Sequence, residues 1–232
     1  MRFLLITEAR SGTHMFRGAF RNHPDVFSFA DYCSDLVTVR GGLTQFLTEL
    51  YSKMPADSTS GAFTHFGELR RHSKTEKRGW IPEDWRSLRK IHSHVIALTR
   101  RSSLRRYLSL ELALKKGLGA TWSCDTLRNS DPPPITLDLN KFLAWHQRAK
   151  RIRQDISKLL EPYYSVVYEE LVSDWLGTMR GIYDYLGLQW DNPKILPFQQ
   201  ETRPLEAIVE NWPLISQEAA ARNLNLLEIS NG

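Results

Sequence analysis

The sequence predicts an α/β protein of one domain, residues 1–232, in which helices cover both faces of a central parallel sheet in three layers. Short apolar runs alternate with longer segments of helical periodicity, and this alternation is typical of parallel sheets whose crossover connections are helices. In addition, the first apolar run passes through a small, hydroxyl-rich turn into an amphipathic segment, an arrangement in which proteins hold phosphate groups.

Each predicted strand is a short, mostly apolar run, and each lies between segments of helical spacing. The strands are Phe3–Thr7, Val26–Phe29, Ala62–His65, His94–Leu98 and Ser165–Tyr168. The first helix presents the apolar side chains of Met15–Phe20 on one face. A long helix is predicted over Leu139–Leu159, before the helix-breaking Pro162. A last helix is predicted over Leu171–Leu186, and Gly187 ends it.

The charge and the cysteine content restrict the class of protein. There are 31 Lys and Arg residues against 26 Asp and Glu residues, a net charge of +5, which favours an anionic ligand. No dense basic run is present, so nucleic acid is not expected as a partner. Cys33 and Cys124 form neither a disulfide framework nor a metal site, which favours a reducing compartment. Without a signal peptide or a run of 18 apolar residues, a cytoplasmic protein with no membrane span is expected.

Residues Arg10–His14, between the first strand and the first helix, form the candidate anion-binding loop. The backbone N–H groups at the start of the helix lack helical partners, and the helix dipole favours negative charge there. Ser11 and Thr13 add hydroxyl donors, and Arg10 adds a fixed positive charge. The loop lacks the second glycine and the lysine of G-x-x-x-x-G-K-[ST], so a magnesium-dependent ATPase or kinase is not favoured.

A second candidate anion site follows the fourth predicted strand. Ser102 or Ser103 is expected to cap the next helix, and Ser109 lies two turns after Ser102 on the same side of that helix. Arg101 and Ser109 can therefore hold one anion. Ligands of open parallel sheets lie beyond the carboxyl ends of the strands, where both candidate sites are expected. The alternative interpretation is a solvated basic surface formed by Arg100, Arg101, Arg105 and Arg106.

These stretches together resemble the sulfotransferase family that uses 3′-phosphoadenosine 5′-phosphosulfate (PAPS). The first loop is similar to the family's [KR]-S-G-T-[TS], with His14 in place of the last hydroxyl residue. Arg101 and Ser109 have the eight-residue spacing of the family's 3′-phosphate motif. The resemblance is nearest to bacterial, carbohydrate-directed members, and it implies a P-loop-NTPase-like sulfotransferase fold.

Two further signatures of the family follow in the expected order. One is Tyr168–Leu171, which reads Y-E-E-L, together with the L-G-L of Leu186–Leu188. The other lies near the C-terminus and consists of Arg203-Pro204-Leu205, Ile208, Asn211 and Trp212. The four motifs span most of the chain.

The resemblance implies a role for each motif. The 5′-phosphosulfate would be bound by Arg10, Ser11, Gly12, Thr13 and His14. Arg10 would also stabilise the leaving phosphate oxygen electrostatically, because a guanidinium does not give up its proton. Arg101 and Ser109 would bind the 3′-phosphate, Arg203 would close over it, and Tyr168 would contact the adenine. The product would be 3′-phosphoadenosine 5′-phosphate (PAP), and no metal would be required.

The acceptor hydroxyl needs a general base, for which there are two candidates. Asp31 lies just past the second predicted strand, in H-P-D-V-F-S-F-A-D, where several carbohydrate sulfotransferases have a carboxylate. His65 ends the third predicted strand, and other branches of the family use a histidine in that neighbourhood. Asp31 is favoured, although the neutral imidazole of His65 is better suited to accept a proton near pH 7. His92 and His94 flank a buried strand and are expected to be structural.

The implied activity is sulfuryl transfer to a small-molecule or glycan hydroxyl, and the sequence does not identify the acceptor. Two alternatives remain open: a nucleotide kinase-like enzyme with an altered loop, and a non-catalytic module that binds polyanions or RNA. Trp80, Trp85 and Trp122 fall in loop-like regions that could form an acceptor cleft. A homodimer through the segment Pro213–Asn225 is a further expectation.

Overall fold

The computed structural model describes residues 1–8, 10–31, 48–65, 82–115, 133–194 and 203–226. Contacts divide the chain into two compact units. The first contains Met1–Thr99 and Arg151–Leu196, and the second contains Arg100–Lys150 and Pro197–Gly232. The single domain expected from the sequence stays a prediction.

Five parallel strands form the sheet of the first unit, as far as the described residues show. They are β1 (Arg2–Thr7), β2 (Val26–Asp31), β3 (Thr59–His65), β4 (His94–Thr99) and β5 (Tyr164–Val167). Their order across the sheet is β2-β3-β1-β4-β5. The predicted parallel sheet is confirmed, but Tyr168 is not a strand residue. It begins a helix directly after β5.

The helices lie between the strands, as the periodicity predicts. Those whose bounds are described are α1 (Thr13–Arg21), α2 (Pro82–Ile91), α3 (Ser103–Lys115), α4 (Leu139–Leu160), α5 (Tyr168–Ser173), α6 (Trp175–Leu186), α7 (Leu205–Ile208) and α8 (Trp212–Ala221). Residues 48–52 are also helical. Among the described residues, no helix combines the length and the apolar character that a bilayer crossing needs.

Helices cover both faces of the sheet in the first unit. On one face, the Phe3 ring of β1 lies 4.8 Å from the Phe20 ring of α1, and Phe20 lies 6.2 Å from Tyr183 of α6. On the other face, Leu4 and Ile6 of β1 belong to a buried cluster with α2, the helical residues 48–52 and the end of α4. The alternation of β1 side chains between the two faces is what allows one apolar run to support both layers.

Two expectations about helices need correction. Trp85 does not lie in a loop or a cleft, because it is a residue of α2 and is buried in the cluster that contains Leu4. The helix predicted over Leu171–Leu186 is two helices. Asp174 separates them, and its carboxylate accepts a 3.0 Å hydrogen bond from the backbone N–H of Gly177, which caps α6.

The second unit has its own apolar core, formed by α3, residues 139–150 of α4, α7 and α8. Ile135 forms a parallel bridge with Val209. Next to this bridge, the side-chain oxygen of Asn211 accepts from the Leu137 N–H at 2.9 Å, and its amide nitrogen donates to the Leu137 carbonyl at 3.0 Å. The asparagine and tryptophan of the C-terminal motif are therefore structural here, since Trp212 is buried in the same core.

Candidate functional site

The loop between β1 and α1 has a tightly constrained backbone. Arg10 has a φ of 68° and Gly12 has a φ of 90°, both in the left-handed region that side chains disfavour. The Ser11 N–H donates to the Glu8 carbonyl at 3.2 Å, and the Met15 N–H donates to the Gly12 carbonyl at 3.0 Å. These bonds turn the chain sharply from the end of the strand into the helix.

Gly12 is required by its surroundings as well as by its backbone angle. A Cβ atom at this position would lie 2.6 Å from Cδ2 and 2.7 Å from Cε2 of Tyr168. Tyr168 is 5% exposed, so its ring cannot move aside without opening the interior. The structure thus brings Tyr168 against the predicted anion-binding loop, and this contact joins two of the sequence motifs.

The N-terminus of α1 can accept an anion. Gly12, the N-cap residue, has no side chain with which to cap the helix, and the first turn contains no acidic residue. Ser11 is fully buried, and its hydroxyl has no hydrogen-bond partner within the described part of the chain. The Thr13 hydroxyl lies 3.4 Å from that of Thr7. Unsatisfied buried hydroxyls are costly, so a polar ligand at this loop would remove a penalty.

The predicted base candidates occupy the same edge of the sheet as the loop. His65 is in register with Thr7, the last residue of β1, on the neighbouring strand β3. Asp31 ends β2, one strand further from β1, and is in register with Phe63. Because β1, β2 and β3 are parallel, their carboxyl ends all lie at this edge. The backbone therefore places both candidates near the loop.

In the second unit, the structure brings Arg203 to the start of α3. Ser102 caps this helix by accepting from the Arg105 N–H at 3.2 Å, so of the two predicted caps Ser102 is the one used. The Arg105 guanidinium donates to the Arg203 carbonyl at 3.1 Å. Arg101 is exposed and Ser109 is partly buried. The predicted 3′-phosphate residues and Arg203 therefore belong to one unit and are linked through α3.

The buried histidine before β4 is structural, as expected. Both ring nitrogens of His92 form hydrogen bonds. Nδ1 lies 2.8 Å from the Leu88 carbonyl oxygen, and Nε2 lies 2.7 Å from the Tyr51 hydroxyl. The carbonyl can only accept, so Nδ1 carries the proton and Nε2 accepts from Tyr51. Burial lowers the pKa of His92 to about 4, which keeps the ring neutral near pH 7.

The predicted site residues therefore fall into two groups. Arg10–His14, Asp31, His65 and Tyr168 lie in the first unit, and Arg101, Ser109 and Arg203 lie in the second. That the two groups bind one ligand is a proposal taken up below. Among the described residues, no three His, Cys, Asp or Glu side chains form a group that could hold a metal ion.

Beside the loop, Glu8 and Arg153 form an ion pair that the sequence does not predict. Glu8, directly after β1, is buried, and its carboxylate is bound by Arg153 of α4. The acidic residue next to the loop was visible in the sequence, but nothing indicated its partner 145 positions away.

Comparison with known proteins supports the resemblance. A model of a sulfotransferase family matches residues 92–192, fewer than half of the 232 residues. The matched stretch includes Arg101, Ser109 and Tyr168–Leu171 but not the loop Arg10–His14. No curated protein sequence matches the chain.

Two solved structures have a similar fold. A sulfotransferase from Alicyclobacillus acidocaldarius has a TM-score of 0.51 and 14% identity, over 98% of this chain and 97% of that one. A sulfotransferase domain from the curacin biosynthetic pathway has a TM-score of 0.54 and 12% identity, over 96% of this chain and 97% of that one. At such identities the likeness concerns the fold, and it confirms the P-loop-like α/β sulfotransferase fold expected from the sequence.

Proposed function

We propose that this chain, which has the sulfotransferase fold and resembles that family, transfers a sulfuryl group from PAPS to a hydroxyl group and releases PAP. The acceptor hydroxyl belongs to a carbohydrate, a glycolipid or a glycosylated natural product. The observation that carries the proposal is the loop before α1, where the buried Ser11 hydroxyl has no hydrogen-bond partner among the described residues and lies beside a helix N-terminus that no described side chain caps. A natural-product acceptor also agrees with the curacin-pathway domain, which has a similar fold.

The loop residues fit the 5′-phosphosulfate. The backbone N–H groups at the start of α1 bind the phosphosulfate oxygens, and Gly12 permits the left-handed backbone conformation that precedes them. Ser11 and Thr13 donate hydroxyl hydrogen bonds, and His14, exposed in the first turn, takes the place of a second hydroxyl residue. Arg10 stabilises the charge that develops on the leaving phosphate oxygen as the sulfur–oxygen bond breaks. Tyr168, which packs on Gly12, contacts the adenine.

The residues of the second unit bind the 3′-phosphate. Arg101 and Ser109 provide the charge and the hydroxyl, and Arg203 is held near the start of α3 by Arg105. The chain reaches Arg101 from β4, the strand next to β1, so both anion-binding segments leave the sheet at the same edge. A 3′-phosphate site distinguishes PAPS from simpler nucleotides.

Asp31 acts as the general base and takes the proton of the acceptor hydroxyl while its oxygen attacks the sulfur. His65 is the alternative, and its register with Thr7 places its backbone closer to the loop than that of Asp31. The cytoplasmic location and the homodimer expected from the sequence remain predictions.

The test of the function is transfer of radiolabelled sulfate from PAPS. The purified chain is incubated with labelled PAPS and a panel of glycans and hydroxylated natural products, with either magnesium or EDTA. We expect label on at least one acceptor in both conditions, and loss of transfer in Arg10→Met but not in Arg151→Met, an exposed arginine of α4. Failure to bind PAP, together with no transfer to any acceptor, would reject the proposal.

The two base candidates are distinguished by comparing Asp31→Asn with His65→Asn. Loss of the base is expected to lower kcat by about 10²–10⁴-fold while PAP binding is retained. The substitution that leaves kcat nearly unchanged identifies the residue that is not the base. Equal, small effects of both would exclude both candidates.

A further inference from the structure

The carboxylate of Glu8 lies in an unusual place for an anion-binding site. Glu8 follows the last residue of β1 and comes two positions before Arg10, and it is 4% exposed. A buried carboxylate without compensation is costly, and one beside an anion-binding loop would also repel the phosphates that the proposed function requires.

Arg153 compensates this charge with a forked contact. Its Nε donates to Oε1 at 3.2 Å, and its Nη2 donates to Oε1 at 2.8 Å and to Oε2 at 3.0 Å. The planar guanidinium holds the carboxylate in one orientation and also offsets its negative charge. Arg153 belongs to the part of α4 that lies in the first unit, so the contact joins the end of β1 to this helix.

The backbone of Glu8 connects the same residue to the loop. Its carbonyl accepts from the Ser11 N–H at 3.2 Å and from the Thr7 hydroxyl at 2.9 Å, and its N–H donates to the Leu98 carbonyl of β4 at 3.4 Å. The Ser11 bond closes the turn in which Arg10 has its left-handed conformation. A shift of Glu8 would therefore move the acceptor on which the turn depends.

We propose that Arg153 keeps the anion-binding loop in its binding conformation by compensating the buried charge of Glu8. This inference rests on the proposed function only for the identity of the ligand. Arg153 is a positioning residue, because it acts through Glu8 and not through contact with the donor. Arg153 offsets the negative charge that Glu8 places next to the loop, and the carbonyl of Glu8 keeps the turn closed.

The test is a double-variant cycle on the whole chain, with PAP as the probe. Arg153→Met removes the forked guanidinium from the buried carboxylate and is expected to weaken PAP binding by at least about tenfold, because Glu8 then shifts and displaces the donor groups of the loop. Adding Glu8→Gln removes the buried charge and is expected to restore the affinity to within about threefold. Arg151→Met, two positions away on the same helix and exposed, is the matched control and is expected to change nothing.

A merely structural pair predicts different results. If the pair acted only by linking β1 to α4, Glu8→Gln alone would lower stability and weaken PAP binding as Arg153→Met does, whereas charge compensation predicts affinity equal to or up to about threefold tighter than that of the wild type, since one negative charge is gone. The proposal is overturned if Arg153→Met binds PAP like the wild type, or if the double variant binds as weakly as Arg153→Met.

Amide hydrogen exchange at Ser11 separates this proposal from the proposed function. We expect faster exchange of this N–H in Arg153→Met and recovery in the double variant, whether or not PAP binds, and unchanged exchange would overturn the positioning role. If Arg153→Met does not fold, the same measurement on Arg153→Lys, which keeps the charge but not the fork, is expected to show intermediate exchange. If the wild type does not bind PAP, the proposed function fails while the exchange result still decides the role of the pair.

Discussion

Replacement of Gly12 by alanine is expected to destabilise the protein by about 2–5 kcal/mol. The backbone contribution is about 1–2 kcal/mol, because Gly12 has a φ of 90° and a Cβ disfavours the left-handed region. The packing contribution is about 1–3 kcal/mol, because the new Cβ would lie 2.6 Å from the ring of Tyr168, which is buried and has no open space to enter.

Gly187 provides a matched control within the same unit. It has a φ of 62° at the end of α6, and a Cβ there would meet nothing within 4 Å. Gly187→Ala therefore carries the backbone contribution alone, about 1–2 kcal/mol. The difference between the two alanine variants measures the contact between the loop and Tyr168.

The assay is urea unfolding of both variants, followed by tryptophan fluorescence. A further comparison uses Tyr168→Leu with and without Gly12→Ala. Because the ring is then absent, the loss of stability caused by Gly12→Ala is expected to be smaller by about 1–3 kcal/mol. If Gly12→Ala costs no more than Gly187→Ala, or if its cost is unchanged when Tyr168 is replaced, the ring does not constrain position 12 and the reasoning is wrong.

Three further predictions concern stability. The pKa of His92 is about 4 in the folded chain and about 6.5 when unfolded, so the unfolded state binds the extra proton first as the pH falls. The free energy of unfolding should therefore fall by up to about 3 kcal/mol between pH 6.5 and pH 4. Urea unfolding at stepped pH should show this loss, and His92→Asn should make the free energy of unfolding less dependent on pH. Asn211→Ala removes both bonds to the Leu137 backbone and should cost about 2–3 kcal/mol by the same assay, whereas a loss under 0.5 kcal/mol would mean that water replaces them. Asp174→Ala removes the cap of α6 and should cost about 1 kcal/mol, with Asp174→Asn nearly neutral; equal losses in both would contradict capping.

The strand–loop–helix unit at the N-terminus could be predicted because its determinants are local. The apolar run of β1, the glycine at position 12 and the apolar face of α1 are all contiguous in the sequence. The cap of α3 could be predicted as Ser102 or Ser103 for the same reason, and the structure shows that it is Ser102. The parallel orientation of the strands follows from the alternation of elements, although their order across the sheet, with β3 between β2 and β1, does not.

Other features depend on contacts between distant residues, and the sequence does not reveal these. Trp85 lies in a polar stretch, and only its packing against the cluster around Leu4 makes it a core residue. The division between α5 and α6 was missed because the apolar spacing continues through Asp174, although Ser173-Asp174 is a recognisable capping signal. The ion pair of Glu8 joins residues 145 positions apart.

The turn formed by Arg10, Ser11 and Gly12 has a consequence for ligand kinetics. Its two left-handed residues, Arg10 and Gly12, lie in a turn closed by hydrogen bonds within the protein itself. An arriving anion therefore has little chain to rearrange, and the ordering entropy that a mobile loop would lose on binding is small. Capture of an anion at this loop should then be limited by diffusional encounter, with an association rate that depends strongly on ionic strength and weakly on temperature.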